Sequence, residues 1–485
     1  MPYGTEKKEI LPRMWVIMPE TFFRMSEITN TLSSSTSRVA LSETLMASAR
    51  NVQAVLAGQS LSESLAATPA PLRAATQAIS FHVMRRLGLA REVKNLLVAR
   101  PPDYPLFDAL LLVSLALLDT AVEHADDIGV QVRRGDLPLY AAHTLVDQAV
   151  TAVATERKMV PLKGLLNGVL RTFLRERDAV LKEARKNPEA VWNFPKWWIA
   201  HVRRAWPQQW QEILTISNRP APMTLRVNTR RVSIQDLQTE FEQAGIETIQ
   251  SSDHSLVLAA ARPVYQIPGF DDGVWSVQGL AAQYAGIVLP LADGMRVLDA
   301  CAAPGGKTAH MLEQADLGML LALDTDGDRL HKVRENLLRL QLDGPHVGLQ
   351  RADAANVASW WDGIPFDAVL ADVPCTASGI VRRHPDIRWL RREADIAKTA
   401  ALQAKIVDGL WTTVAPGGHL LYVTCSIFPQ EGEQQAVQFM RRHPDAVRLP
   451  APGQLLPLGN DAPPETSSDA VYSDGFFYAL FAKPQ

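Results

Sequence analysis

The segment Val297-Leu298-Asp299-Ala300-Cys301-Ala302-Ala303-Pro304-Gly305-Gly306-Lys307-Thr308 constrains the fold of this chain more than any other. An apolar run ends in an acid, passes through small residues and a Gly pair, and leads into a helix. That is the order of a strand, a tight turn and a helix start. Small side chains let the turn approach a ligand closely, and the open N–H groups of a helix start suit a carboxylate as well as a phosphate. The segment is neither a GxGxxG fingerprint nor a Walker A loop, so pyrophosphate is the weaker ligand. A tight turn with no ligand is less favoured than a cofactor loop.

The pattern after Gly294 extends this reading. Arg296–Asp299, Met319–Asp324, 346–350 and 366–370 read as strands with helical stretches between several of them, which predicts a parallel, doubly wound α/β sheet. A helix expected over 396–414 stops at Ala415-Pro416-Gly417-Gly418, and a strand over 419–423 then delivers Thr424-Cys425 at its C-terminal end. Ligands bind at that edge of such a sheet. Asp474-Gly475 reads as a hairpin turn ahead of an antiparallel strand over 476–481. Asp324 and Asp353 follow the second and third strands; each reads either as a ligand contact or as an ordinary turn or cap residue.

At 485 residues the chain has room for two to four domains. Residues 1–37 include a Ser/Thr-rich stretch without a periodic apolar face and are expected to be a disordered leader. Residues 38–184 carry apolar positions at helical spacing, such as Leu110, Val113 and Leu117, and form an expected all-helical domain. The run 106–122 contains Asp108 and Asp119, leaving too few continuous apolar residues for the ~20 needed to cross a bilayer, so a buried helix is expected. Residues 185–290 combine Trp-rich helices with strands at Thr224–Val227 and Ser255–Leu258 around a helix near 234–244, which suggests a small α+β linker domain. Residues 291–485 hold the doubly wound sheet.

Forty-nine basic residues against 52 acidic ones give a net charge of −3, so any nucleic-acid contact must come from local patches. The chain has 3 cysteines, Cys301, Cys375 and Cys425, spaced too widely for a metal knuckle and too few for a disulfide framework. No metal site is expected. The N-terminal apolar stretch 14–18 is too short for a secretory signal, and with the cysteine usage this points to a reducing, cytoplasmic setting.

Three motifs carry a resemblance: Asp-Ala-Cys-Ala-Ala-Pro-Gly-Gly-Lys-Thr from Asp299, Asp372-Val373-Pro374-Cys375, and Thr424-Cys425-Ser426. Together they resemble the RNA cytosine-C5 methyltransferase family. Nearly all of the chain after Arg38 is similar to the bacterial subgroup that acts on small-subunit rRNA and carries an all-α NusB-like N-terminal domain. The resemblance implies a Rossmann-like catalytic domain using S-adenosyl-L-methionine to methylate carbon 5 of a cytosine in 16S rRNA, at position 967. It implies cofactor contacts from Cys301, Ala302, Ala303, Pro304, Gly305, Gly306, Lys307 and Asp372, ribose contact from Asp324, and adenine-side contact from Asp353. It assigns Cys425 the attack on C6, Cys375 the release of product, and Asp372 a role beside the ring nitrogen N3. In DNA cytosine-C5 enzymes the Pro-Cys thiol attacks instead, so the second cysteine, in Thr424-Cys425, decides the roles. Thr376-Ala377-Ser378-Gly379 stands where relatives often carry Ser-Gly-Thr-Gly or Ser-Ala-Thr-Gly, a change expected to retune loop packing.

For RNA, Arg226 and Asn228 resemble a family segment placed to reach phosphate and a base or sugar. Arg382, Arg383 and Arg388 belong to a stretch, 382–392, with five arginines and one aspartate; it reads as a phosphate-binding loop or as a solvated helix face. Trp192, Trp197, Trp198, Trp206 and Trp210, with Lys196, Arg203 and Arg204 among them, form either a base-stacking surface or packed amphipathic helices. The expected partner is 16S rRNA, free or in an early assembly intermediate, bound by a monomer. A transfer-RNA methyltransferase and a noncatalytic RNA-binding adaptor stand as the alternatives. A small-molecule methyltransferase is disfavoured by the paired cysteines and the Arg-rich loop.

Overall fold

The computed structural model describes residues 39–125, 137–459 and 473–485. The leader expected over 1–37 lies outside the described residues. From Leu41 to Ala184 the described chain is helical, its long members being Leu41–Leu56, Ala70–Leu97, Pro105–Glu123, Ala142–Thr155 and Lys163–Ala184. Pro105–Glu123 is long and apolar enough to cross a membrane, yet it runs through the centre of this bundle. Leu110, Leu112, Val113 and Leu118 are fully buried on several sides of it, and burial all round explains an all-round apolar helix. Its acids are matched: Asp119 pairs with Arg86 and Arg177 at 2.6 Å each, and Asp108 with Lys94 at 2.8 Å.

Next comes a small antiparallel sheet of β1 (Thr224–Val227), β2 (Thr248–Ser252), β3 (Ser255–Leu258) and β4 (Trp275–Val277), in the order β2-β3-β1-β4. The helix Ile234–Gln243 starts on Ser233, which accepts from the Asp236 N–H, and buries Leu237 and Phe241 in that sheet's core. Strands β2 and β4 were not legible in the sequence. The first is only partly buried along its length and the second has three residues, so neither shows an alternating pattern.

The large sheet holds β5 (Arg296–Asp299), β6 (Met319–Asp324), β7 (Val347–Arg351), β8 (Phe366–Asp372), β9 (Val414–Thr424), β10 (Val447–Leu455) and β11 (Phe476–Ala482). Its order is β10-β11-β9-β8-β5-β6-β7. Strands β5 to β9 run parallel, and β11 is antiparallel to both β9 and β10. The chain leaves β5 toward β7 on one side and returns to β8 and β9 on the other. The loops after β5, β6, β8 and β9 therefore open on one C-terminal edge, with the reversal of strand order between β5 and β8.

Two local expectations change. The helix before β9 already ends at Trp411, and Ala415-Pro416-Gly417-Gly418 lies inside β9, at a shift in its register against β8. Asp474-Gly475 is not a hairpin tip. The Asp474 carboxylate takes the Arg383 Nε–H at 2.6 Å, and the Gly475 N–H donates to the Gly379 carbonyl at 2.8 Å. A Cβ on Gly379 would fall 1.9 Å from the Gly475 oxygen, so this contact requires glycine.

The arginines expected to meet RNA hold these layers together, and for Arg226, Arg382 and Arg388, as for Asn228, the expectation is corrected on burial, while Arg383 is only partly buried. Arg226, 1% exposed, forks onto Glu313 at 2.7 and 2.8 Å and donates to Gln278 and to the Gly306 carbonyl at 2.6 Å. It thereby ties β1 to the helix that follows the Gly-rich turn. Asn228 is buried and accepts from the Arg230 N–H. Arg388 is fully buried under Phe194 and donates to Asn218 and to the carbonyls of Asn193 and Ser217. Arg382 donates to the Pro220 carbonyl, and Arg383 is the partner of Asp474. The N-terminal helices grip the same segment: Arg85 donates to the Arg382 carbonyl, the Leu61 N–H to Asp386, and the Trp389 indole to the Met84 carbonyl.

Breaking one side of a buried ion pair leaves an uncompensated charge. Arg226→Ala is expected to lower the unfolding free energy by about 3–5 kcal/mol, with Arg226→Ala/Glu313→Ala less than additive. Denaturant unfolding of the two singles and the double checks this. A loss below about 1 kcal/mol, or full additivity, contradicts it.

Candidate active site

The turn after β5 is shaped by two acids and a glycine. Gly305 adopts φ +98, and a Cβ there would lie 3.0 Å from Val333, so only glycine fits both the backbone and the space. Gly306 then opens the helix Gly306–Gln314. The buried Asp324 carboxylate accepts from the Ala303 N–H at 3.2 Å and the Asp326 N–H at 3.0 Å, holding the turn to the end of β6. Asp299 accepts from Thr308 Oγ1 at 2.7 Å through one oxygen, while its other oxygen is buried without a partner. Burial pushes the Asp299 carboxyl up to about 7, against the pull of the Thr308 bond. Burial and the nearby Asp372, Asp324 and Asp299 also push the Cys301 thiol well up, keeping it protonated. Asp353 is exposed and accepts from the Ala355 N–H at 2.9 Å, a turn-closing bond.

The second cluster joins the ends of β8 and β9 to that turn. Lys307 Nζ lies 2.5 Å from Asp372 Oδ2 and 5.5 Å from the centre of the Phe476 ring. Burial works against the Lys307 charge, but Asp372 and then Cys425 outweigh it, so the ammonium is held charged. Cys375 Sγ and Cys425 Sγ stand 3.3 Å apart. Cys375 is 2% exposed; its bond to Cys425 and its burial raise the thiol well above the ordinary range. Cys425 is only half-buried. The two sulfurs are thus adjacent but unequal in access.

Sequence reasoning missed Glu431. It sits on a short turn six residues after Cys425, fully buried, with its carboxylate accepting from Thr376 and Ser426, the residues directly following the two cysteines. The available signal was a Glu inside the otherwise apolar and polar-neutral run Ser426-Ile427-Phe428-Pro429-Gln430-Glu431.

Of the tryptophans, Trp210 lies under the Arg203 guanidinium, 5.6 Å from its ring centre, while others turn inward. Trp198 is fully buried and meets Phe428 at 5.2 Å, and the Trp206 indole donates to the Ile427 carbonyl at 2.9 Å. These rings pack against the Cys425 loop rather than stack on bases. Lys196, Arg203 and Arg204 are exposed on the other side of the helix Lys196–Ala205, around an open concavity of about 470 Å³ completed by Pro188, Ile199 and Ala200.

Residues 286–482 match the family described as 16S rRNA methyltransferase RsmB/F, and residues 194–265 match the RsmF/B-like ferredoxin-like domain. The chain is 38% identical over 443 residues to ribosomal RNA small subunit methyltransferase B of Vibrio cholerae, covering 89% of this chain and 95% of that one. The chain belongs to the RsmB/F family of 16S rRNA methyltransferases. The Erwinia tasmaniensis methyltransferase B is 41% identical over 349 residues, covering 72% of this chain and 78% of its own length. The crystal structure of PH0851 shares the fold, with a TM-score of 0.69 at 24% identity, over 91% of this chain and 99% of the other. As an RsmB/F member the chain is an rRNA methyltransferase, and among its described residues no cluster of three or more His, Cys, Asp or Glu is placed to hold a metal ion.

The raised Asp299 has a consequence for stability. Its folded pKa of about 7 exceeds the ordinary 3.8, so its contribution is fully present below about pH 4, falls as pH rises, and is gone above about pH 7. Asp299→Asn removes this titration. In cofactor-free protein, the stability of the variant relative to the parent should rise by up to about 4 kcal/mol between pH 4 and 8. A difference independent of pH would show that Asp299 is ionised throughout.

Proposed function

We propose that this RsmB/F enzyme methylates carbon 5 of a cytosine in 16S rRNA, position 967, through a covalent bond between Cys425 Sγ and cytosine C6. The observation that carries this reading is the pair of thiols 3.3 Å apart beside the Lys307–Asp372 ion pair, at the C-terminal edge of a parallel sheet. The methyl donor is S-adenosylmethionine, which supplies an electrophilic methyl group when bound. The residues present fit it: the glycine turn Cys301 to Lys307 offers helix-start N–H groups, Asp299 offers a buried unpartnered oxygen, and Asp324 and Asp353 stand at the ends of β6 and β7.

Cytosine C5 is a poor nucleophile until a thiolate adds to C6 and drives electron density into the ring. In this reading Cys425, the more open sulfur, forms the S–C6 bond. Asp372, with Lys307 donating to one of its oxygens, faces N3 in this reading and shares a carboxyl proton with the ring nitrogen as negative charge builds there. After C5 gains the methyl group its proton must leave, the C5–C6 double bond re-forms, and the bond to Cys425 breaks. Cys375 takes that proton. It can do so only as the thiolate: once Cys425 is bonded to C6 as a neutral thioether, the Cys425 bond and charge that help raise the Cys375 thiol are gone, and its own proton passes to solvent before it takes the one on C5. The target base must be unpaired or flipped out to expose both ring carbons. The helical N-terminal region is read as NusB-like and as an added grip on rRNA, and the protein as cytoplasmic and monomeric.

Cys425→Ala should abolish both methylation and any covalent enzyme–RNA species. Cys375→Ala should still attack and then accumulate an adduct that survives denaturing electrophoresis when S-adenosylmethionine is present, and the double variant should form none. The reverse pattern would give the attack to Cys375. Retained methylation in both singles would end the covalent reading.

With the buried arginines removed from the RNA contacts, the exposed Arg203 and Arg204, on the helix whose buried face packs against the Cys425 loop, are read as the phosphate contacts. Arg203→Ala/Arg204→Ala should weaken RNA binding and flatten log K against log salt by about 1.4, the share of two single-strand phosphates. Cofactor affinity should not change. An unaltered salt slope would return both residues to ordinary solvated surface.

A further inference from the structure

The distance between the two sulfurs is not fixed by the strands alone, because both cysteines lie beyond the last paired residues, Asp372 on β8 and Thr424 on β9. What closes the gap is one buried carboxylate. Glu431 lies on the turn Pro429–Glu431, and its backbone carbonyl accepts from Tyr422 Oη at 2.7 Å and Thr424 Oγ1 at 3.1 Å, which pins it to β9. Its side chain reaches across to the β8 loop. Oε1 accepts from the Thr376 N–H at 2.8 Å, Thr399 Oγ1 at 2.6 Å and Gln403 Nε2 at 3.2 Å. Oε2 accepts from Thr376 Oγ1 at 2.5 Å and Ser426 Oγ at 2.7 Å.

Thr376 follows Cys375 and Ser426 follows Cys425, so each cysteine is one residue from a bond to the same carboxylate. The surrounding bonds brace the arrangement. Gln403 also donates to the Pro374 carbonyl at 2.8 Å, on the other side of Cys375. Ser426 Oγ accepts from the Phe428 N–H, and Ser378 Oγ from the Ile427 N–H. All of the donors to the Glu431 carboxylate are neutral. Burial pushes that carboxyl above its ordinary range, and the bonds from Thr376, Thr399 and Ser426 pull it back. A buried carboxylate without a paired cation is costly, and its retention between two reactive loops calls for a use beyond packing.

We propose that Glu431 is the positioning residue of this site: by clasping Thr376 and Ser426 it sets the approach of Cys375 to Cys425, and so the reach of Cys375 to the C5 proton of a base held on Cys425. This rests on the covalent reading above for its catalytic consequence, but the clasp itself is a statement about two sulfurs and is testable without RNA. Glu431→Gln preserves the shape while replacing one acceptor oxygen by an N–H₂ group that faces Thr376 Oγ1 and the already crowded Ser426 Oγ.

The first measurement is the rate at which diamide oxidises Cys375 and Cys425 to a disulfide, the two thiols giving up two electrons and two protons as diamide becomes the hydrazine. Peptide mapping identifies the pair. Glu431→Gln should slow this reaction severalfold relative to the parent. The second is methylation of 16S rRNA: kcat should fall roughly 10- to 100-fold, the loss expected from misplacing a reacting group by about 1 Å, and covalent adduct should accumulate. KM for RNA and for S-adenosylmethionine should stay within about twofold. Should Glu431→Gln fail to fold, Ser426→Ala removes the Ser426 arm of the clasp and Thr376→Val weakens the other, leaving only its backbone N–H bond, and both should move both readouts in the same direction. A parental rate of disulfide formation overturns the proposal. So does a loss of activity in which adduct and product fall together. Methylation surviving in Cys425→Ala would instead defeat the covalent reading, while the disulfide rate still judges the clasp.

Discussion

The parallel pairing of β8 with β9 is the constraint on which the rest of the site depends. Asp372 stands opposite Val423, so the chain leaves both strands at nearly the same height, with Cys375 three residues after Asp372 and Cys425 two after Val423. Side chains alternate along a strand, and a one-residue slip in this register would turn the β9 end away from the β8 loop. The register is secured by burial on both faces: Val369, Leu370, Leu420 and Leu421 are fully buried and face opposite sides of the sheet. Chemistry at the edge thus inherits its precision from the apolar core beneath it.

A second layer of constraint is electrostatic. Arg226, Arg382, Arg383 and Arg388 satisfy carbonyls and carboxylates in the seams between the helical region, the small sheet and the large sheet. Guanidinium groups suit such seams because their fixed fork fills several acceptors at once. The segment 382–392 touches the N-terminal helices through Asp386 and Trp389 and returns to the Cys375 loop through Arg391, which donates to the Thr376 carbonyl at 3.0 Å. The helical region and the catalytic loop are therefore in physical contact through one short stretch of chain.

Much of the doubly wound sheet could be read directly, since β5 and β6 carry apolar runs that end in an acid at the ligand edge, and β11 is a continuous apolar run. Strand β10 could not, because Pro450 and Pro452 interrupt its pattern and only pairing with β11 makes it a strand. The cysteines and the Gly-rich turn were legible as motifs, but their mutual distance was not. The arginines misled for a physical reason: composition records charge, while burial decides whether a guanidinium meets solvent or protein. Glu431 escaped notice because a single acid in a loop acquires meaning only when Thr376 and Ser426, distant in sequence, arrive beside it.

The central claim is that Cys425 alone bonds the base. The most direct measurement is to trap the enzyme on 16S rRNA bearing 5-fluorocytosine, whose C5 fluorine cannot leave as a proton, and to identify the attached peptide by mass spectrometry. The account predicts one linkage, from Cys425 to the modified cytosine, formed only with S-adenosylmethionine present and with the methyl group already transferred. Attachment through Cys375, or methylation of that RNA with no covalent species at all, would contradict it.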